Sequence, residues 1–438
     1  MCPETSGGGP DAITCRGRNS YCVRGRLLRP LAVRRHRIAS GTTLRHGRLG
    51  VVGTFYAAEY DSRLKRTRAR MAGEGISDLF VSDPANIYYL TGFDACSFYV
   101  PQLLWISSTE PLRLFLREID ASSAWLTANL APDQVFGYPE TYVQCAERHP
   151  MDWVADVIRP RLPADAVAAV ESESPHYTLR AHHSLTAGLG RSLQPSPRLV
   201  NWVRAIKSPA EIEVMRTAAR ITERVFEVAL DAVRPGVRQC DAVAEIYAAQ
   251  IEGVPDAGGS YAAIPPIVLA GASTAFPHVP WSDAPFAADE AVALELAGAR
   301  ARYHVPLTRT MYLGTPPAAL AALADVTGEG LEAALATMRP GVETGAPADA
   351  WTEVIARHGY VKKSRVGYPI GIGYAPDWGE QTMSLRPGET IPLEAGMTFH
   401  VMIGMWLDGG GYSISETVLV TQDGVECLTR LPRGLLCR

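Results

Sequence analysis

ELAGARARYHVPLTRT, residues 295–310, opens on a glutamate, passes through a basic run and closes on HVPLTRT. It lies across two apolar runs, AVALELAG (291–298) and ARYHVPLTRTMYLG (301–314), whose length and composition suit strands. PPIVLAG (265–271) before them, and MTFHVMIGMW (397–406) and GYSISETVLVT (411–421) after them, have the same character. Helical stretches are expected at 317–335 and 346–358. Upstream, Ser208 and Pro209 form an N-cap and first-turn pair, and Glu211 adds a carboxylate to the positive helix end. Ile212, Met215, Ala219, Val225 (or Phe226) and Leu230 then form an apolar stripe until RPGV stops it. A second helix, CDAVAEIYAAQIEG, ends on Gly253. For residues 203–438 this predicts two helix pairs around a curved antiparallel sheet.

Residues 53–202 read as a separate α/β domain. EYDSRLKRTRARMAGEG (59–75) is an amphipathic helix with a Gly stop, and SDLFVSD (77–83) a short buried strand. PANIYYLTGFDACSFYV (84–100) reads as helix and loop, and QLLWISS (102–108) and LRLFLRE (112–118) as further strands. The fold class is therefore α+β, an α/β domain followed by a domain built on one antiparallel sheet. Residues 1–52 differ from the rest, with ten Arg against only Glu4 and Asp11 and no apolar period; a disordered extension is expected there.

At 438 residues and 47% hydrophobic, the chain is long enough for two globular domains. A net charge of −4 gives no reason to expect a nucleic-acid partner, and no apolar run is long enough to span a bilayer. Eight cysteines without a CxxC pair argue against a zinc ribbon or disulfide framework and for a reducing, cytoplasmic setting.

The order of motifs is more specific. Arg204, Lys207, Ser208, Glu211 and Ile212, then PHVPW (277–281), LELAG…LTRT, GIG (371–373), TFHVM (398–402) and SETVLVT (415–421) resemble the pita-bread fold. That fold serves Xaa-Pro aminopeptidases, prolidases and creatinase, and the likeness covers about residues 57–427. It implies a creatinase-like first domain and a pita-bread second domain. In the metallopeptidases of this fold two Asp, one His and two Glu hold two metal ions. The resemblance places these positions at Glu295, Pro306, Pro369, Met402 and Ser415 or its neighbour Glu416. Proline and methionine side chains offer no hard oxygen or imidazole, so neither a metal nor another cofactor is expected. Creatinase works without metal, gripping a cationic guanidino group with a His and carboxylates; His278 and Glu295 match those positions.

Four stretches read as loops are similar to ectoine hydrolases: SRVGYPIGIGYAPDWGEQTMSLRPGE (364–389), YPETYVQCAERHPMDWV (138–154), TGFDACSFYV (91–100) and GGSYAAIPP (258–266). This implies opening of a cyclic amidine to an N-acetyl-diaminobutyrate. An amidinium is already cationic and electrophilic at its central carbon. Carboxylates that bind its N–H groups and one base for the attacking water would suffice. The catalytic set implied is Glu295 and Glu416 as paired carboxylates and His278 as base or proton donor. Around them Trp378 and Tyr374 either wall the ring or pack the loop, and Glu380 is a third carboxylate or a solvated one. Arg309 meets a substrate carboxylate or holds the strand; His304 and His400 belong to the site or to the core. Phe98 and Tyr99 would reach a neighbour's site if the chain forms a homodimer, as the resemblance implies.

Four positions depart from the ectoine-hydrolase pattern: Cys96 for Trp, Pro101 for His, Val305 for Cys and Ser413 for an acid. All four fall in motifs expected to face the pocket. They leave open a diverged enzyme acting on another amidine, guanidine or amide, including a ring-closing one, and a catalytically silent ligand- or partner-binding protein.

Overall fold

The protein is described here by a computed structural model that covers residues 54–438; the Arg-rich leader and the expectation attached to it lie outside those residues. In the first domain six strands, β1 (Asp78–Val81), β2 (Leu103–Ser107), β3 (Arg113–Arg117), β4 (Val135–Tyr138), β5 (Ala168–Val170) and β6 (Gln194–Pro195), form one mixed sheet of order β4-β3-β2-β1-β5-β6. Every residue of β1 and β2 is buried, as expected of strands covered on both faces. Six helices accompany them: α1 (Ala57–Gly73), α2 (Pro84–Thr91), α3 (Glu118–Thr127), α4 (Pro150–Ile158), α5 (Leu179–Leu189) and α6 (Leu199–Arg204). Helix α2 begins on an Asp83 cap with Pro84 in its first turn and ends on Gly92 in the left-handed region, so its bounds are set by local chemistry.

Helix α7 (Pro209–Ala232) starts where the sequence places it. The Ser208 hydroxyl accepts from the Glu211 N–H, and the Glu211 carboxylate accepts from the Ser208 N–H, a reciprocal capping box. The apolar stripe of α7 is centred on Met215, Ala218, Ile221, Val225, Phe226 and Ala229, while Ile212 and Leu230 lie at its margin. Helix α8 (Gln239–Glu252) follows, and α9 (Ala318–Thr337) with α10 (Ala346–Arg357) makes the second pair.

The second sheet has nine strands: β7 (Ile267–Ala270), β8 (Ala291–Arg300), β9 (Tyr303–Tyr312), β10 (Tyr368–Tyr374), β11 (Asp377–Gly379), β12 (Thr398–Leu407), β13 (Gly410–Val420), β14 (Val425–Cys427) and β15 (Leu436–Cys437). Its path is β14-β13-β12-β10-β9-β8-β7, antiparallel at each step, with β11 beside β10 and β15 parallel to β9. The ELAG…LTRT stretch is thus a hairpin, with Glu295 opposite Thr308. Gly298 allows α7 to lie against it: a Cβ there would stand 2.4 Å from the Ala218 carbonyl and 2.5 Å from the Thr222 nitrogen. Thr222 uses the approach, accepting from the Gly298 N–H and donating to the Val305 carbonyl.

One stretch differs from expectation. Residues 368–379, read as part of a loop, form the strands β10 and β11, and this places Tyr368 in the wall of the sheet.

Two polar joints tie the domains. Arg302, at the turn of the β8–β9 hairpin, donates to both oxygens of Asp94, which also accepts from the Tyr374 hydroxyl. Arg63 of α1 donates to the Tyr303 hydroxyl, which in turn donates to Glu211. Among the described residues no helix is long and apolar enough to cross a membrane.

Candidate active site

The curved face of the second sheet carries a cleft. Its inner chamber, about 180 Å3, is walled by Ile267, Leu269, Ala293, Glu295, Thr308, Tyr368, Met402, Trp406 and Ser413, with Pro277, His278, Ser364 and Arg365 at its mouth. It continues into an outer recess bounded by Ile264, Trp281, Pro376 and Asp377. With the outer recess, about 400 Å3, which shares Glu295, His278, Arg365 and Tyr368, the cleft is of the roughly 300–1,000 Å3 size of small-molecule sites.

Strand register decides who faces this chamber. Ala293 and Glu295 of β8, Thr308 of β9, Met402 of β12 and Ser413 of β13 share the face, as alternation requires. Glu295 is 9% exposed, and no hydrogen bond or ion pair from the described residues reaches its carboxylate. Burial alone raises its pKa to about 7. Beside it the Thr308 hydroxyl oxygen is buried without a partner. At the mouth, Arg365 stacks on the Tyr368 ring, 4.4 Å from its centroid, and pairs with no carboxylate among the described residues. The chamber therefore has an unpaired acid inside and an unpaired cation at its rim.

Behind the wall runs a hydrogen-bonded row. The Trp378 Nε1–H donates to the Tyr368 hydroxyl at 3.0 Å. That hydroxyl is 3.0 Å from His400 Nδ1, and His400 Nε2 is 2.7 Å from Ser415 Oγ, which also accepts from the Thr308 N–H at 2.7 Å. Burial lowers the His400 pKa to about 3, so the ring is neutral.

Of the residues expected at the site, Glu295 and His278 come together; His278 lies on an exposed loop with a left-handed φ of 61° and lines both parts of the cleft. The others lie outside the chamber; for Arg309, Trp378, Tyr374, His304 and His400 the fold shows the structural alternative. Glu416 points from the opposite face of β13, where it accepts from Arg309 at 2.7 Å and Arg433 at 2.9 Å, and Thr429 closes the cluster. It does not pair with Glu295, and Arg309 is committed to it, to the Ser415 carbonyl and to the chain end near Pro432. Glu380 is not solvated but buried, paired with Lys207 at 2.5 Å and close to Arg204. Trp378 and Tyr374 are packed in the core, held by Tyr368 and Asp94, rather than walling a ligand. His304 accepts from the Ala263 N–H, and burial lowers its pKa to about 4; neither it nor His400 reaches the chamber.

Phe98 packs edge-on against Tyr374 and His176, and exposed Tyr99 accepts from Arg117, so neither lines the cleft of its own chain. Of the four departures only Ser413 lines the chamber: Val305 is core, and Cys96 and Pro101 belong to the first domain. The wall residues Arg365, Tyr368, Thr308 and Trp406 were missed. Only Thr308 had a signal, the period-two pattern of LTRT on a strand beside the one that carries Glu295.

Fold and cleft define a two-domain enzyme scaffold with its site on the curved sheet. Residues 213–422 match the metallopeptidase family M24 and residues 63–206 the creatinase/prolidase N-terminal domain. The chain is 40% identical to an ectoine hydrolase of Halomonas elongata over 392 residues, 88% of this chain and 98% of that one. It is also 40% identical to an uncharacterized hydrolase/peptidase of Sinorhizobium fredii over 386 residues, 88% of this chain and 98% of that one. The dipeptidase PepE of Mycobacterium ulcerans has the same fold, with a TM-score of 0.75 at 24% identity over 88% of this chain and 99% of that one. The chain belongs to the M24 family of pita-bread hydrolases, on its ectoine-hydrolase-like side.

Proposed function

We propose that the chain is a metal-independent hydrolase that cleaves a C–N bond of a small cyclic amidine, with ectoine the first substrate to try and N-acetyl-2,4-diaminobutyrate its product. The observation that carries this reading is Glu295, a buried carboxylate facing the cleft with no partner among the described residues. Such a charge costs several kcal/mol unless something pairs with it, and an amidinium does so. With a pKa of about 7, Glu295 is also poised to act as base near neutrality.

The family name implies metal, but the donors do not fit a two-metal centre. Among the described residues no three His, Cys, Asp or Glu side chains gather into a metal-binding group. Pro306 and Pro369 offer no side-chain donor and Met402 only a soft thioether, while Glu416 is turned away onto two arginines. The chemistry can run on Glu295 alone. It takes one proton from water as the oxygen bonds the amidinium carbon, and passes it to one ring nitrogen. The C–N bond to that nitrogen then breaks while the oxygen's second proton follows the same route through Glu295. The leaving amine ends as an ammonium, the carbon as an amide, and Glu295 as it began. His278 lines the mouth of the cleft beside it.

Arg365 suits the carboxylate of a zwitterionic substrate. The test is mass-spectrometric detection of ectoine opening with excess EDTA present. Turnover is expected to persist, and Arg365→Gln to raise KM about tenfold with kcat little changed. Loss of turnover on chelation would sink the metal-free reading.

Ser413 in the chamber favours a second reading, a related amidine, guanidine or amide as substrate, which a screen of such compounds would reveal. The silent-protein reading needs the acids tied internally; Glu416 is, but Glu295 is not. Homodimer formation in the cytoplasm completes the proposal. Ile119, Trp125 and Leu126 of α3 are exposed apolar side chains suited to such a contact, and sedimentation at a monomer's mass would refute it.

A further inference from the structure

The row Trp378–Tyr368–His400–Ser415–Thr308 has a proton count that constrains it. At each end stands a group that can only donate: the Trp378 indole N–H, given to Tyr368, and the Thr308 backbone N–H, given to Ser415. Between them are two links, Tyr368 to His400 and His400 to Ser415. The three groups that make those links bring three hydrogens: the tyrosine O–H, one N–H of a neutral imidazole and the serine O–H. Two fill the links and one is left over. A neutral imidazole cannot accept at both nitrogens, so the surplus hydrogen is either on Ser415 or on Tyr368. Ser415 is fully buried and has no further acceptor among the described residues; stranding its hydrogen there would cost about 1–3 kcal/mol. Tyr368 is only partly buried and lines the cleft. Ser415 therefore donates to His400 Nε2, His400 Nδ1–H donates to Tyr368, and the tyrosine oxygen, accepting twice, turns its hydrogen outward.

We propose that the Tyr368 hydroxyl is a hydrogen-bond donor directed into the cleft, a catalytic residue that holds the incoming oxygen as it becomes the amide carbonyl. This rests on the amidine-hydrolase reading and adds to it the group that receives the oxygen. His400 and Ser415 are positioning residues that act through Tyr368. Burial pushes the Tyr368 phenol well above its ordinary range, with the Glu295 charge adding to the effect. The phenol keeps its proton throughout, and Glu295 alone moves protons. Held by two donors, the hydroxyl is oriented before substrate arrives, which is what makes such a donor effective.

The test has two arms. In nitrogen-15 NMR the His400 imidazole, identified by the signal missing in His400→Gln, is expected as the Nδ1–H tautomer. The Nε2–H tautomer would overturn the proposal whatever the substrate. In kinetics on ectoine, Tyr368→Phe is expected to lose about 100-fold in kcat with KM within about threefold. Ser415→Ala, which leaves the chamber wall in place, is expected to lose about tenfold in kcat as the tautomer loses its bias. An unchanged kcat in Tyr368→Phe overturns the proposal. Failure of the wild-type protein to open ectoine, with the Nδ1–H tautomer present, sinks the choice of substrate and leaves the directed donor standing.

Discussion

Replacing Glu295 by glutamine is expected to abolish turnover and, at pH 8, to make the protein more stable. The two effects have one cause. In the folded chain burial raises this carboxyl from 4.5 to about 7, and no cation among the described residues offsets it. A folded-state pKa above the unfolded one means that the group's full contribution to stability is present below about pH 4.5. That contribution is lost as pH rises through about 7, where the buried acid ionises. A shift of this size corresponds to about 3 kcal/mol between the two limits, less what the buried amide of glutamine itself costs. Urea denaturation of wild type and Glu295→Gln should therefore diverge by about 1–3 kcal/mol at pH 8 and converge near pH 5. The same ionisation governs activity: kcat/KM of the wild type is expected to fall as pH drops through about 7, because the base must be ionised. A variant that is inactive but no more stable at pH 8 would mean that Glu295 is paired after all.

Glu416→Ala is expected to do the reverse, destabilising by about 3–5 kcal/mol. Its carboxylate is fully buried between Arg309 and Arg433, and Arg309 is itself 1% exposed. Removing the acid leaves the Arg309 guanidinium buried against the Ser415 and Thr308 carbonyls with no counter-charge. A lowered urea midpoint measures the loss, and any folded fraction should keep its KM because the chamber does not contain this residue. A stable Glu416→Ala protein with impaired substrate binding would return Glu416 to the site.

Those two residues also show what the sequence could and could not tell. Helices with capping signals were legible: Ser208, Pro209 and Glu211 act locally, and the residues that fix the start of α7 are the residues at its start. Strand existence was legible too, from the apolar runs around Glu295. Facing was not. In SISET the neighbours Ser415, bonded to His400 behind the chamber, and Glu416, on the far side with two arginines, face opposite ways. A strand changes face at every step, so choosing the acid rather than the serine moved the candidate from one face of the sheet to the other. The wall residue Tyr368 was hidden for another reason. Glycines and prolines in GYPIGIGYAP read as a loop, and only pairing with β9, β11 and β12, distant in sequence, makes a strand of them. The partners of Glu380 were equally remote, since Lys207 lies 173 residues away.

The Arg302 clamp bears on how separable the two domains are. Arg302 sits at the turn of the hairpin whose first strand carries Glu295, and it grips Asp94 of the first domain while lying over the Tyr374 ring. The next residue, Tyr303, is fastened to Arg63 and Glu211. Cut from its neighbour, the second domain would keep every residue of the chamber yet lose the anchor that sets the hairpin's register and tilt. The modules that a family tree would shuffle are thus not free modules in this chain. A change in the first domain at Asp94 or Arg63 is a change, at one remove, in the hairpin that carries Glu295.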